Sequence, residues 1–150
     1  MNVLLSIKPV FAEKILNGEK RYEFRKTRLS KVGNGDRVVL YASSPIQKIV
    51  GEFQVGGIIE ADPHELWNRF SEFSGIDNKE WFLDYFGENA LGYAIEVDDV
   101  YRFDAPIDPY ECIEGFHPPV SFKYINGLLS NGIIESHSNP SHQLPTSACD

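Results

Sequence analysis

Residues 37–55, RVVLYASSPIQKIVGEFQV, set two strand-like runs one after the other with only Ser-Ser-Pro turn chemistry between them. A doubly wound sheet alternates strand and helix throughout, and this pair breaks the alternation. The flanking elements are short and mixed. NVLLSIK (2–8) reads as a first strand, and Pro9 suits the first position of a helix that Gly18 would end, with Phe11, Ala12, Ile15 and Leu16 on one face. RYEFRK (21–26) alternates Tyr22 and Phe24 against Arg21, Glu23 and Arg25, the pattern of a half-buried strand. SKVGNGD (30–36) is a turn, and Gly51 is expected at a bulge or bend.

Three helix starts follow, at Asp62, Asp77 and Asp108, each with a glutamate three residues on. The first carries Leu66, Trp67, Phe70 and Phe73, the second Trp81, Phe82, Tyr85 and Phe86, and both stripes read as core-facing. Residues 90–97 and 100–107 read as two more strands, and residues 115–129 as a proline-shaped segment packed on the barrel end. The order β-α-β-β-β-α-α-β-β predicts an α+β domain. Its expected form is a small mixed, mostly antiparallel β-barrel of five or six strands with helices capping its ends. At 150 residues the chain fits one domain, expected over 1–135, with a polar, flexible tail at 136–150.

The formal charge of −8 hides an asymmetry. Residues 1–50 hold ten Lys/Arg against four Asp/Glu, a charge of +6, whereas the remaining hundred hold four against eighteen, a charge of −14. An acidic total argues against non-specific duplex binding, yet leaves room for a local basic site. Cys112 and Cys149 lie far apart and make neither a disulfide framework nor a metal cluster, which leans towards a reducing compartment. The apolar run before Lys8 and Pro9 is too short for a signal peptide or a membrane span. The expected protein is soluble and cytoplasmic, with no membrane partner; the sequence sets no oligomeric state.

The basic stretch NGEKRYEFRK (17–26) carries the most chemistry. Glu23 and Arg25 are two apart on a strand and share a face, and Lys20 sits where the chain turns in from the helix. A lysine, a carboxylate and a guanidinium together can meet a phosphate or carbonyl and an exocyclic amine. The same pattern also describes a salt-bridge ladder on a solvated face, with Arg21 and Lys26 as plain surface charge. Ser43 and Ser44 offer hydroxyls at a strand end, or ordinary turn chemistry. His64, His117, His137 and His142 have no zinc-site spacing, and neither a phosphate-binding glycine loop nor a nucleophile elbow is present. No metal and no cofactor is expected.

LLSIKPVFAEKILNGEKRYEFRK resembles the start of the ASCH domain, a branch of the PUA-like superfamily of small β-barrels. The family pattern Gly-x-Lys-x-x-Glu-x-Arg is met by Gly18, Lys20, Glu23 and Arg25. VVLYASSPIQKIVGEFQVGGII is similar to the next two strands, GYAIEVDDVYRFDAPID to the closing ones, and the likeness spans about residues 2–125. The resemblance implies a cleft beside the first helix, lined by Lys20, Glu23 and Arg25, and RNA or modified-nucleoside binding with a role in transcription or translation control. One branch hydrolyses the acetyl amide of acetylated cytidine, and ribonuclease activity is attributed to another member. The amidohydrolase branch carries Thr where this chain has Glu23, so its nucleophilic mechanism does not carry over.

Two functions are therefore expected. The first is a binding module whose ligand meets Lys8, Lys20, Glu23, Arg25, Ser43 and Ser44, with Tyr41 or Phe122 stacking on a base. The alternative is a hydrolase, an amidohydrolase or ribonuclease, with Lys20 stabilising charge and Glu23 as general base on RNA or an acylated nucleoside. A blander third reading is an interaction domain whose cleft takes a peptide or the chain's own tail.

Overall fold

The computed structural model describes residues 1–125, so the boundary expected at 135 and the tail expected from 136 lie outside the described residues. The elements are β1 (Asn2–Ile7), α1 (Pro9–Leu16), β2 (Tyr22–Arg25), β3 (Arg37–Ala42), β4 (Lys48–Ala61), α2 (Pro63–Phe70), α3 (Lys79–Phe86), β5 (Gly92–Ile107), α4 (Pro109–Cys112) and β6 (Phe122–Ile125). A 3₁₀ turn at Ser71–Phe73 follows α2. The strands form one six-stranded sheet in the order β2-β5-β4-β3-β1-β6. β1 and β3 pair in parallel, and every other neighbouring pair is antiparallel. The result is a mixed α+β half-barrel of the expected kind.

The curl comes from β4 and β5. Their pairing shifts register three times, between Ile49 and Gly51, Glu52 and Gln54, and Val55 and Gly57. Each shift bends the ribbon and raises its twist, so a flat sheet rolls into a half-barrel. The bend expected at Gly51 is the first of these. A Cβ on Gly51 would stand 2.5 Å from the Tyr101 carbonyl oxygen and 2.7 Å from Leu16 Cδ2. Gly51→Ala should therefore cost about 1–3 kcal/mol through overpacking. The loss is readable as a lower urea midpoint, while Gly57→Ala, whose Cβ meets nothing within 4 Å, serves as the control.

Two details correct the sequence reading. The strands expected at 90–97 and 100–107 are one 16-residue strand, β5. Asp98-Asp99 looks like a turn, but Asp99 takes the left-handed conformation at φ 44° and pairing with β4 continues on both sides. The second helix start shifts by one residue: Asn78, not Asp77, caps α3, its Oδ1 accepting from the Trp81 N–H at 2.9 Å. The other two caps form as expected, Asp62 accepting from Glu65 N and Asp108 from Tyr110 N.

Strand parity divides the core. Val38, Leu40 and Ala42 of β3 face one cluster with Val3, Leu5, Ile7, Ala12 and Ile15, so α1 packs on this side. Val39 and Tyr41 face the opposite cluster with Leu4, Phe103 and Phe116. A third cluster joins Phe24 to Leu66, Phe70, Phe82 and Phe86 and fastens α2 and α3 over the edge strand β2. No helix among the described residues is long and apolar enough to cross a membrane. No group of three or more His, Cys, Asp or Glu among them is arranged to hold a metal ion.

Candidate functional site

The site begins where α1 ends. Gly18, at φ +92°, turns the chain back, and the Lys20 N–H donates to the Lys14 carbonyl at 2.9 Å. That bond drives the Lys20 side chain inward, under α1 and beside β2, where it is 1 % exposed. Its ammonium donates to the Ser74 carbonyl at 2.5 Å and lies 3.6 Å from Glu23 Oε1. The rings of Phe11 and Phe24 stand 5.0 and 5.1 Å from the same nitrogen. Burial holds the Lys20 ammonium below its ordinary pKa; Glu23 opposes that shift, and the nearby Arg25 and Lys14 add to it.

Glu23 is 6 % exposed and links the two cations. Its Oε2 accepts from Arg25 Nε at 2.9 Å and lies 2.7 Å from Nη2. Arg25 also donates from Nη2 to the Ser6 carbonyl at 3.0 Å and from Nη1 to Ser121 Oγ at 3.2 Å. The guanidinium thus ties β2 to the end of β1 and to the segment before β6, and its own geometry is fixed. Among the described residues, Glu23 Oε1 faces only the 3.6 Å contact with Lys20 and retains capacity to accept a ligand donor.

These three side chains floor a cleft of about 280 Å³ at the carboxyl ends of the parallel strands β1 and β3. Ser6, Lys8 and Ser43 line its polar wall, and Phe11, Phe24, Trp81, Phe82 and Tyr85 its aromatic wall. Ser43 is held by its N–H to the Ile7 carbonyl at 2.9 Å. Tyr85 donates to the Phe24 carbonyl at 3.3 Å, and burial raises its pKa. The cleft therefore combines three cations, one carboxylate and several ring faces, the equipment for a planar, polar, hydrogen-bonding ligand.

Of the residues singled out from sequence, Lys8, Lys20, Glu23, Arg25 and Ser43 come together in this cleft. The other three do not line it. Tyr41 stands on the opposite face of β3, 2 % exposed, with its hydroxyl 3.1 Å from that of Tyr110. Phe122 pairs opposite Leu5 on β6 and stacks edge-on with Tyr124. Ser44 is exposed in the turn beyond Ser43. The aromatic groups of the cleft come instead from α1, β2 and α3. Trp81 is 40 % exposed at the rim, although its helix stripe reads as core-facing in sequence. Half of that stripe, Phe82 and Phe86, does enter the core.

A further contributor had little sequence signal. The Ser74-Gly75 turn presents two carbonyls to two lysines, Ser74 to Lys20 and Gly75 to Lys14 at 2.8 Å. Gly75 adopts φ +72°, and a Cβ there would lie 3.0 Å from the Lys20 Cβ. A glycine between two helices was the one available sign.

The curled six-stranded half-barrel with its helices has the PUA-like fold. The chain belongs to the ASCH domain family, whose model matches residues 5–100. It is 27% identical over 128 residues to an ASCH domain-containing ribonuclease of Zymomonas mobilis, covering 81% of this chain and 82% of that one. The crystal structure of ASCH from Zymomonas mobilis superimposes with a TM-score of 0.75 at 26% identity, covering 83% of this chain and 87% of that chain. The chain is also 28% identical to parts of two Ureaplasma parvum proteins. It spans 13% of the length of an ATP synthase subunit alpha and 39% of a large ribosomal subunit protein uL22.

Proposed function

We propose that this domain binds RNA or a nucleoside in the cleft, with Lys20 and Arg25 answering phosphate or base carbonyl and Glu23 Oε1 accepting from an exocyclic amine. The observation that carries the reading is the buried Lys20-Glu23 pair, with the partly buried Arg25 beside it, under an aromatic wall. Such a cluster is costly to bury and, as an ion pair alone, weak support for a fold. A cleft that stacks a base and reads its edge gives those groups a use. The acidic remainder of the chain suits a ligand gripped in a local site rather than along a duplex.

Trp81 offers a direct test, because its ring is exposed at the rim. Short RNAs should quench its fluorescence on titration. Trp81→Ala should cost about 1–3 kcal/mol of affinity, the usual worth of one stacked base, with little change in thermal midpoint. Unaltered affinity in that variant would remove the aromatic wall from the proposed interface.

A second reading, hydrolysis, is favoured by the Zymomonas relative, which is named a ribonuclease and aligns over most of both chains. In that reading Glu23 takes the proton of a 2′-hydroxyl, the oxygen attacks the neighbouring phosphorus to form a 2′,3′-cyclic phosphate, and the P–O5′ bond breaks, the 5′-oxygen taking a proton from water. Lys20 and Arg25 offset the charge that gathers on the phosphoryl oxygens. A panel of short RNAs and acylated nucleosides separates the readings. Turnover by the wild type and not by Lys20→Met establishes the enzyme, and binding without turnover establishes the module.

A further inference from the structure

The cleft has a continuation that lies outside its floor. On α3, Trp81 and Tyr85 are four residues apart, share a helix face, and stand with ring centroids 6.1 Å apart and planes within 10°. A lysine sits over each ring: Lys8 Nζ is 5.6 Å from the Trp81 centroid, and Lys26 Nζ is 4.6 Å from that of Tyr85. The two lysines come from different parts of the chain, the end of β1 and the end of β2, and meet opposite ends of one aromatic row. Neither forms an ion pair with a described residue, whereas the exposed Arg28, Arg69 and Arg102 pair with Glu60, Glu65 and Glu13.

Both rings are held in place. Trp81 packs on Phe11 at 5.6 Å, and Tyr85 is fixed through its hydroxyl on the Phe24 carbonyl. The neighbouring face of α3 is acidic, since Glu80 and Asp84 are four apart on the helix and exposed, and the exposed Asp77 lies just before its cap. A polyanion is repelled from that side and attracted along the lysine side.

We infer that Lys8, Trp81, Tyr85 and Lys26 form one track across the mouth of the cleft for single-stranded RNA, so that the preferred ligand is a chain of several nucleotides rather than a free nucleoside. The inference rests on the proposed nucleobase-binding cleft and extends it. Bases stack along the ring row, the lysines meet phosphates on either side of the nucleotide at the cleft, and Lys20, Glu23 and Arg25 read that nucleotide. Lys26, plain surface charge by its place in the sequence, becomes the far end of the track.

The test uses the full chain, the four ribonucleosides, and a set of RNA tetranucleotides, titrated by tryptophan fluorescence from 50 to 200 mM salt. The best tetranucleotide should bind at least tenfold tighter than its best nucleoside. Its log affinity should fall with log salt by about 0.7 for each phosphate contacted. Lys26→Gln should weaken the tetranucleotide several-fold and reduce that slope by about 0.7, leaving nucleoside affinity as in the wild type. Lys8→Gln should reduce the slope similarly. Equal affinity for tetranucleotide and nucleoside, or a Lys26→Gln slope identical to wild type, overturns the track while the cleft reading stands. Absence of binding by both ligand classes overturns the cleft reading, and the track with it.

Discussion

Glu23→Leu lowers the stability of this domain by about 3–5 kcal/mol, whereas Lys20→Met costs no more than about 1–2 kcal/mol. The asymmetry follows from who is paired with whom. Glu23 is the shared partner of Lys20 and Arg25, so its loss leaves an ammonium 1 % exposed without its counter-charge. Removing Lys20 instead leaves Glu23 with its 2.7 Å contact to Arg25, and takes away a charge that burial already disfavours. What Lys20→Met forfeits is one hydrogen bond to the Ser74 carbonyl, while the thioether fills the space of the lysine stem between Phe11 and Phe24.

Urea denaturation of the two variants reads the difference. Function is expected to run the other way: Lys20→Met, folded and nearly as stable, should lose at least tenfold in RNA affinity. Equal destabilisation by both substitutions would show that the cluster is not organised around Glu23. A stable Lys20→Met variant with unchanged affinity would show that the ammonium serves the fold and not the ligand.

How much of this could be read from sequence differs from residue to residue. Lys20, Glu23 and Arg25 were legible through the family pattern Gly-x-Lys-x-x-Glu-x-Arg, since strand alternation alone fits a solvated salt-bridge ladder equally well. Tyr41 was misplaced because RVVLYA is apolar on both faces. A strand covered by core on each side has no polar alternation to tell which face looks into a cleft. Trp81 and Tyr85 were hidden for a related reason. A four-aromatic stripe on one helix turns part of its arc to the core and part to the cleft, and hydropathy does not distinguish them. The single strand β5 was read as two because Asp98-Asp99 carries turn chemistry, which pairing with β4 overrides.

The cap of α3 was ambiguous by one position because Asp77 and Asn78 are both good acceptors, and the bond from Trp81 N decides it.

The pH dependence of binding and of stability should move in opposite directions, and that opposition identifies Lys20 as the group responsible. Its pKa in the folded protein lies below the ordinary 10.5, chiefly through burial, with Glu23 opposing and Arg25 and Lys14 reinforcing. A ligand phosphate needs the ammonium. Affinity should hold at low pH and decline as pH rises through the folded pKa, by up to about tenfold per pH unit once the proton is gone. Stability behaves otherwise. Between the folded pKa and 10.5 the unfolded chain still holds the proton that the folded chain has released, so raising the pH favours the folded state.

Lys20 is therefore most unfavourable to folding below its folded pKa and least unfavourable above 10.5. Measured as wild type minus Lys20→Met, so that the other titrating groups largely cancel, the stability difference should rise with pH over that window. Over the same window, the affinity advantage of the wild type should shrink. Because one proton on one nitrogen drives both, the two curves should bend at a common pH in the free protein, with affinity bending later where bound phosphate stabilises the ammonium. A stability difference flat across the window would mean that Lys20 is solvated well enough to keep its ordinary pKa. A falling affinity would then have to be traced to another group, with the raised Tyr85 hydroxyl, held on the Phe24 carbonyl, the first to examine.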